Sequence, residues 1–595
     1  MWPTEQSKRF KILAGIVSAV IVFLLFRLLW MQLLQGPQYK KIAEDNRIQQ
    51  VTALAPRGII YDRKGIVLAA NRPSFAVSVI PSEYINSAVS TPILAELTGM
   101  SSQELHKLLA AGSELPYSPI RIKHDIDQVL IARIEERKSD LPGVIIEAIP
   151  VRHYVYNEGF AHLLGYVGMI SEEQYNKYKA DGYGPSDLIG KDGLERMWEE
   201  YLRGNDGGLQ IEVNALGEQV GIVGDKTAIP GNSLILTVDA KLQEFAEQKL
   251  VERIGRSKEQ GQPAAGGAVV ALDVRNGKVL AIVSKPSYNP NTFAGGINSK
   301  DWNALLKNKN NPLTNRVIQS VYPPGSVFKI VTAAAALEGN LTTAEEVFND
   351  KGVYVLNGWN FYGWETKGLG RLKIADGLAW SSDPMFYELG HRVGVDQLAS
   401  YALTFGFGKL SGIELPGEEA GIVPTKEWKQ THYGEEWLPG ETLIAAIGQG
   451  YYNATPLQQA LLLMAVANGG IVYKPLVVDK IATPDGAIVK EYNPEILRTI
   501  YLRDDVWDTL HQGLVAVTSR GTAAGAFQGL AVKVAGKTGS AETGRGTTHS
   551  WFACYAPADN PEIALAVFVE EGGDGSVAAA PLARSILEAY FSGEK

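Results

Sequence analysis

The sequence predicts an α+β protein carried on a single N-terminal membrane helix, with a C-terminal half built as an antiparallel sheet flanked by helices. Three observations lead there. One long apolar run stands near the N-terminus, and the 595 residues exceed what a single core can organise. In the C-terminal half, strand-like runs gather at both ends of a helix-rich stretch instead of alternating with helices.

Composition excludes several classes. Hydrophobic residues at 45% and charged residues at 20% describe folded domains, not disorder. A net charge of -9 argues against a nucleic-acid binder, so no nucleic-acid partner is expected. The single cysteine, Cys554, permits neither an intramolecular disulfide nor a cysteine-based zinc site.

Ile12 to Leu34 is apolar except for a few polar positions and Arg27, and its 23 positions suffice for a hydrocarbon core that needs about 20. Lys8, Arg9 and Lys11 precede it, which assigns residues 1–11 to the cytoplasm and the rest of the chain to the far side. Arg27 lies near the far end, within snorkelling reach of headgroups. A cleaved signal peptide fits less well, because the run is long and Leu33-Leu34-Gln35-Gly36-Pro37 is no small-x-small cleavage site.

Residues 35–232 read as one mixed domain. Its expected elements are helices at Tyr39–Arg47, Ile93–Ala111 and Ile126–Lys138, a strand at Val144–Ile149, and a helix from Gly190 through Tyr201. The texture changes at Pro230-Gly231-Asn232, and residues 233–595 form the second domain. That domain opens with a helix at Ala240–Ile254. The strands Ala268–Asp273 and Val279–Ser284 follow, joined by the hairpin turn Arg275-Asn276-Gly277. Helical stretches come next, at Val327–Leu337, Leu372–Leu389, Val395–Phe405 and Pro456–Asn468. Strands return at Leu530–Val534, Ser550–Tyr555 and Ile563–Val569, and a helix at Ala578–Tyr590 closes the chain.

The chemistry concentrates in three short segments. In Tyr322-Pro323-Pro324-Gly325-Ser326-Val327-Phe328-Lys329, two prolines and a glycine stop the chain and an Ala-rich helix begins at the serine. Ser326 then sits where backbone N–H groups stabilise negative charge, with Lys329 on the same face. A lysine in a partly desolvated pocket has a depressed pKa and can take the serine proton. Ser-x-x-Lys alone is equally a plain helix cap with a solvated lysine. Ser381-Ser382-Asp383 supplies a hydroxyl for proton relay and a carboxylate to hold a lysine or substrate backbone. Alone it is an ordinary loop. Lys537-Thr538-Gly539-Ser540 adds a second cation that helps keep Lys329 neutral and attracts a carboxylate. Its glycine permits close approach, and the Ser540 N–H can pair with that of Ser326 as an oxyanion hole.

Competing chemistries fit poorly. A phosphate-binding loop at Gly536-Lys537-Thr538 needs a glycine where Ala531 stands, and Glu542 to Thr548 is a polar loop, not a helix. No Gly-x-Ser-x-Gly surrounds Ser326, and the eight histidines show no metal-binding spacing. His549 reads as a strand-end residue, not a ligand.

Taken in order, Ser326-x-x-Lys329, Ser381-x-Asp383 and Lys537-Thr538-Gly539 resemble the penicillin-recognising acyltransferases. Further segments narrow the resemblance to class B penicillin-binding proteins, the D,D-transpeptidases of peptidoglycan. Pro56-Arg57-Gly58-Ile59-Ile60-Tyr61-Asp62-Arg63-Lys64-Gly65 and Gly193-Leu194-Glu195-Arg196 with Leu202-Arg203-Gly204 are similar to motifs of their N-terminal pedestal. Gly448-Gln449-Gly450 and Thr455-Pro456-Leu457-Gln458 fit their catalytic half. The Tyr-Pro-Pro-Gly lead-in and Asp383, where division-type members usually carry asparagine, resemble the elongation type.

The resemblance implies a serine β-lactamase-like transpeptidase fold on a pedestal (dimerisation-type) domain, in a single-pass protein of a bacterial inner membrane. It implies that Ser326 attacks the D-Ala-D-Ala bond of a stem peptide, that Lys329, Ser381, Asp383 and Lys537 serve the chemistry, and that Thr538, Gly539 and Ser540 bind substrate. β-Lactams are implied inhibitors, and a SEDS-type, RodA-like glycosyltransferase touching anchor and pedestal is the implied partner. Some elongation-type relatives bind zinc near the site through a histidine and a cysteine. Here Leu369 and Ser382 stand instead, so no metal and no cofactor is expected. The alternatives are a division- or sporulation-type transpeptidase, a D,D-carboxypeptidase or β-lactamase, and a non-enzymatic scaffold for a polymerase.

Overall fold

A computed structural model of the chain describes residues 4–33, 35–36, 48–84, 87–111, 119–213 and 219–593. The N-terminal helix runs Thr4–Leu33 and, among the described residues, is the one helix long and apolar enough to cross a membrane. Its apolar side chains from Phe10 to Leu33 are exposed, as lipid-facing groups are. The helix expected at Tyr39–Arg47 lies outside the described residues.

The chain forms two compact units. The smaller comprises Met1–Ala55, Phe75–Ile149 and Asn205–Ile229. In it the strands Ile48–Ala53, Gly207–Val213 and Gln219–Lys226 make an antiparallel sheet. A second patch pairs Val77–Val79 with Ile120–Lys123, covered by helices through Leu94, Leu105 and Ile134. The helix expected at Ile93–Ala111 is two helices, Ser87–Thr98 and Ser102–Ala111. Gly99 separates them at φ +72°, a conformation that ends a helix. The next helix starts at Gln128, not Ile126, because the Asp127 carboxylate caps it by accepting from the Leu130 N–H.

The larger unit comprises Pro56–Ser74, Pro150–Gly204 and Pro230–Lys595. Two segments far apart in sequence meet inside it. Arg57 bonds Glu195 at 2.8 Å and Glu199 at 2.7 Å, and Arg152 reaches the other oxygen of Glu195 at 2.6 Å. Glu195 is wholly buried, so its charge is tolerated only through these partners and the Tyr154 hydroxyl. Gly58 is required by closeness: a Cβ there stands 1.8 Å from the Asn232 carbonyl oxygen.

The centre of this unit is a five-stranded antiparallel sheet in the order Val279–Lys285, Gly267–Asp273, Ile563–Val569, Thr548–Ala556, Ala535–Glu542. The first two strands form the expected hairpin, with Gly277 at φ +76° and its N–H bonded to Asp273. Both faces are covered, which explains the near-continuous apolar strands. Val270, Trp551, Tyr555 and Phe568 face the core that holds the helices Lys329–Glu338 and Pro456–Ala467. Val269, Phe552, Leu565 and Val567 face the helices Ala240–Glu259 and Ala579–Ser592. Each such large side chain contributes about 1.5–3 kcal/mol by burial.

Two expectations are corrected in this unit. Leu530–Val534 is not a strand. Leu530 and Val532 cover the core beside Phe527, and the sheet edge takes the smaller residues Ala535–Glu542 instead. The stretch Leu372–Leu389 is not one helix but two, Ile374–Trp380 and Asp383–Val393, broken at Ser381.

Candidate active site

Three backbone bonds and one side chain hold the chain ahead of Ser326. Tyr322 and Ala454 exchange N–H···O bonds of 3.0 and 2.8 Å, the Trp551 indole donates to the Pro323 carbonyl at 3.1 Å, and the Gly325 N–H donates to the Gly448 carbonyl at 2.9 Å. Gly325 sits at φ +57°, so no α-helix extends back through it. The expected α-helix start at the serine is therefore a 3₁₀ turn, Gly325–Phe328, and the α-helix runs Lys329–Glu338. Ser326 lies in the turn, and Lys329, three positions on, opens the helix that continues it. Ser326 is half-buried, and the helix behind it is buried from Lys329 to Leu337.

Lys329 is fully buried. Its Nζ donates to Asp383 Oδ1 at 2.6 Å, to the Ser381 carbonyl at 2.8 Å and to Ser381 Oγ at 3.2 Å, and the Phe386 ring centroid lies 5.5 Å away. Burial holds its pKa below the ordinary lysine value, while the Asp383 charge works in the opposite direction.

The Ser381-Ser382-Asp383 segment is the corner between two helices. Ser381 adopts a left-handed conformation at φ +56° as the last cap of one. Ser382 caps the start of the other by accepting from the Met385 N–H. The second oxygen of Asp383 accepts from the Trp364 N–H at 3.1 Å.

Lys537-Thr538-Gly539-Ser540 lies within the edge strand, not after a strand. Lys537 opposes Ala553 and Gly539 opposes Trp551. A Cβ on Gly539 meets Trp551 at 3.0 Å and Val327 at 3.3 Å, so glycine lets this strand lie against the serine turn. On the same contact, a Cβ on Gly325 stands 3.4 Å from the Ser540 carbonyl oxygen. Lys537 is fully buried and donates to the Thr538 carbonyl at 3.1 Å; among the described residues it makes no ion pair like that of Lys329 with Asp383. Burial and the charge of Lys329 push its pKa well down. The stronger depression thus falls on Lys537, although the sequence pointed to Lys537 as the group that depresses Lys329.

The fold brings all the sequence-predicted site residues to one place: Ser326 and Lys329 on the turn, Ser381 and Asp383 on the lysine, and residues 537–540 along the turn. His549, as expected, is a strand residue. Its Nδ1 accepts from the Glu571 N–H, and its ring meets that of Tyr322 at 5.2 Å. Sequence reasoning missed Trp364, Asp350 and Thr522. Thr522 shares a 2.8 Å hydroxyl contact with Thr538, and nothing in Ser519-Arg520-Gly521-Thr522 distinguishes it from a loop.

Comparison with known proteins identifies the family of the chain. The chain matches the penicillin binding protein transpeptidase domain over residues 267–588 and the penicillin-binding protein dimerisation domain over residues 52–236. It is 33% identical to the peptidoglycan D,D-transpeptidase MrdA of Haemophilus influenzae, over 94% of this chain and 88% of that protein. The penicillin-binding protein PBP2 of Helicobacter pylori, solved with MreC, aligns with a TM-score of 0.76 at 27% identity over 92% of this chain and 100% of its own. A chain of a peptidoglycan synthase complex that coordinates polymerization and crosslinking aligns with a TM-score of 0.72 at 31% identity, over 98% of both chains. The buried serine–lysine turn, its two flanking segments and these matches lead to one conclusion: the chain belongs to the penicillin-binding proteins that carry a transpeptidase domain.

Proposed function

We propose that the chain is a membrane-anchored peptidoglycan D,D-transpeptidase of the elongation type, acting through an acyl-enzyme on Ser326. The observation that carries the reading is the hydrogen-bonding of Lys329. A neutral lysine amine has two N–H bonds and one lone pair. With the N–H bonds given to Asp383 and the Ser381 carbonyl, the lone pair is left for a hydroxyl proton.

In this reading Ser326 Oγ attacks the carbonyl carbon of the D-Ala-D-Ala bond and its proton passes to Lys329 Nζ. The Ser326 and Ser540 N–H groups stabilise the oxyanion. The C–N bond then breaks, and the departing D-Ala amine takes the proton from Lys329 by way of Ser381 Oγ. An amine of a second stem attacks the ester, the same groups carry the proton in reverse, and Ser326 is restored with a new amide cross-link. Lys537, Thr538 and Gly539 bind the substrate carboxylate and backbone. A β-lactam acylates Ser326 and stays.

Residues 1–11 are cytoplasmic, 12–34 span a bacterial inner membrane, 35–232 are the pedestal and 233–595 the catalytic domain. Lys8, Arg9 and Lys11 support that orientation. A RodA-like polymerase is the partner, through anchor and pedestal. The likeness to a chain of a peptidoglycan synthase complex over nearly the whole length supports this. Purified protein with stem pentapeptides tests the reaction. Cross-linked dimers support transpeptidation, and tetrapeptide alone means that water, not an amine, deacylates.

A further inference from the structure

Beside the site lies an open cavity of about 550 Å³ that the proposed reaction leaves unused. Its walls are Trp359 and Phe361 of one hairpin, Trp437, Leu438 and Ile444 at the start and body of the helix Pro439–Ala446, and Tyr451 beyond it. Two walls continue into the reaction centre. The hairpin leads to Trp364, whose N–H holds Asp383. The helix leads to Gly448, whose carbonyl holds Gly325. Gly440 is shaped to the cavity: a Cβ there comes within 2.9 Å of the Phe361 ring.

The lining is aromatic and left uncovered. Trp359 is 75% exposed and Leu438 59%, which costs hydration free energy unless a ligand covers them. A concave, aromatic site of this volume suits a small ligand. Two of the polar side chains at its edge are already engaged. The Trp437 indole donates to Thr442, and the Glu441 carboxylate accepts from Lys429 and the Leu438 N–H. A peptide backbone placed here finds few partners for its N–H and C=O groups. A pyranose ring does not face that difficulty, because its C–H face stacks on the aromatic rings while its hydroxyls turn to the open mouth.

We propose that this cavity is a sugar subsite, which takes an N-acylated amino sugar of the glycan strand bearing the stem peptide. The inference rests on the transpeptidase reading and names a second part of the same substrate. It makes Trp359 and Trp437 specificity residues that distinguish glycan-linked stems from free peptide.

The test uses the full chain in detergent and two donors, the free stem pentapeptide and the same peptide on its disaccharide. The readout is the ratio of their kcat/KM values. In the wild type the glycan-linked donor is preferred about tenfold, the size of one good aromatic contact. Trp359→Ala, an exposed position that folding tolerates, brings the ratio close to one. Trp437→Phe, which keeps a ring, retains most of it. Val355→Ala, on the same hairpin but outside the lining, keeps the wild-type ratio. A wild-type ratio of one, or a Trp359→Ala variant that slows both donors equally, overturns the sugar subsite. Labelled penicillin that fails to acylate the wild type overturns instead the transpeptidase reading beneath it.

Discussion

The Ser382 hydroxyl donates to Asp350 Oδ2 at 2.6 Å, and both residues are buried. Ser382 stands between the two residues that hold Lys329, so this bond fixes the helix corner against the strand Phe348–Asp350. The other oxygen of Asp350 is fixed by the Gly352 N–H at 2.7 Å. Ser382 is a positioning residue, acting on Lys329 through Ser381 and Asp383. Ser382→Ala slows β-lactam acylation by roughly 10- to 100-fold, the scale of a small misplacement of catalytic groups. It also shifts the pH dependence of acylation, a change that loss of stability alone does not produce, and Ser382→Thr restores much of both. Wild-type rates and pH profile in Ser382→Ala contradict this role.

Acylation depends on neutral Lys329, so its rate rises with pH as the amine loses its proton. Burial places that rise below the ordinary lysine value of 10.5. Asp383 favours the ammonium and therefore raises the pKa, so Asp383→Asn moves the rise to lower pH. Stopped-flow acylation between pH 5 and 10 measures both profiles. A rise that moves to higher pH in Asp383→Asn contradicts the assignment.

Glu195 is the hub of a buried charge network with Arg57 and Arg152. Removing it leaves the buried Arg152 guanidinium without its carboxylate, while Arg57 keeps Glu199, and losing one partner of a buried pair costs about 3–5 kcal/mol. Glu195→Ala lowers the unfolding midpoint by several degrees in a thermal or denaturant melt, and an unchanged midpoint contradicts the network's importance.

Ser382 and Leu369 occupy positions where a cysteine and a histidine are needed for the zinc site of some elongation-type relatives, and the Ser382 hydroxyl is committed to Asp350. Exhaustive treatment with a chelator therefore leaves β-lactam acylation at its starting rate. Loss of acylation that zinc restores contradicts this.

Much of the site was legible in the sequence because its elements are local. Pro323, Pro324 and Gly325 end one conformation and start another within a few residues, and the Ser381 corner carries its own cap. The strand error at Leu530–Val534 shows the limit. An apolar run indicates burial, but Leu530 and Val532 are half-buried loop residues packed on the core, while Ala535–Glu542 joins the sheet through partners on Thr548–Ala556. The unequal depression of the two lysines was equally hidden, because it depends on which amine has a carboxylate within 2.6 Å. Arg57 and Glu195, 138 positions apart, carried no local sign that they pair.

The central claim is that Ser326 is the nucleophile. Radiolabelled or fluorescent penicillin incubated with wild-type chain and Ser326→Ala, followed by denaturing electrophoresis and mass analysis of the labelled peptide, tests it directly. Label on the peptide that contains Ser326 in the wild type and none on the variant is the expected result; covalent label that persists on Ser326→Ala contradicts the assignment.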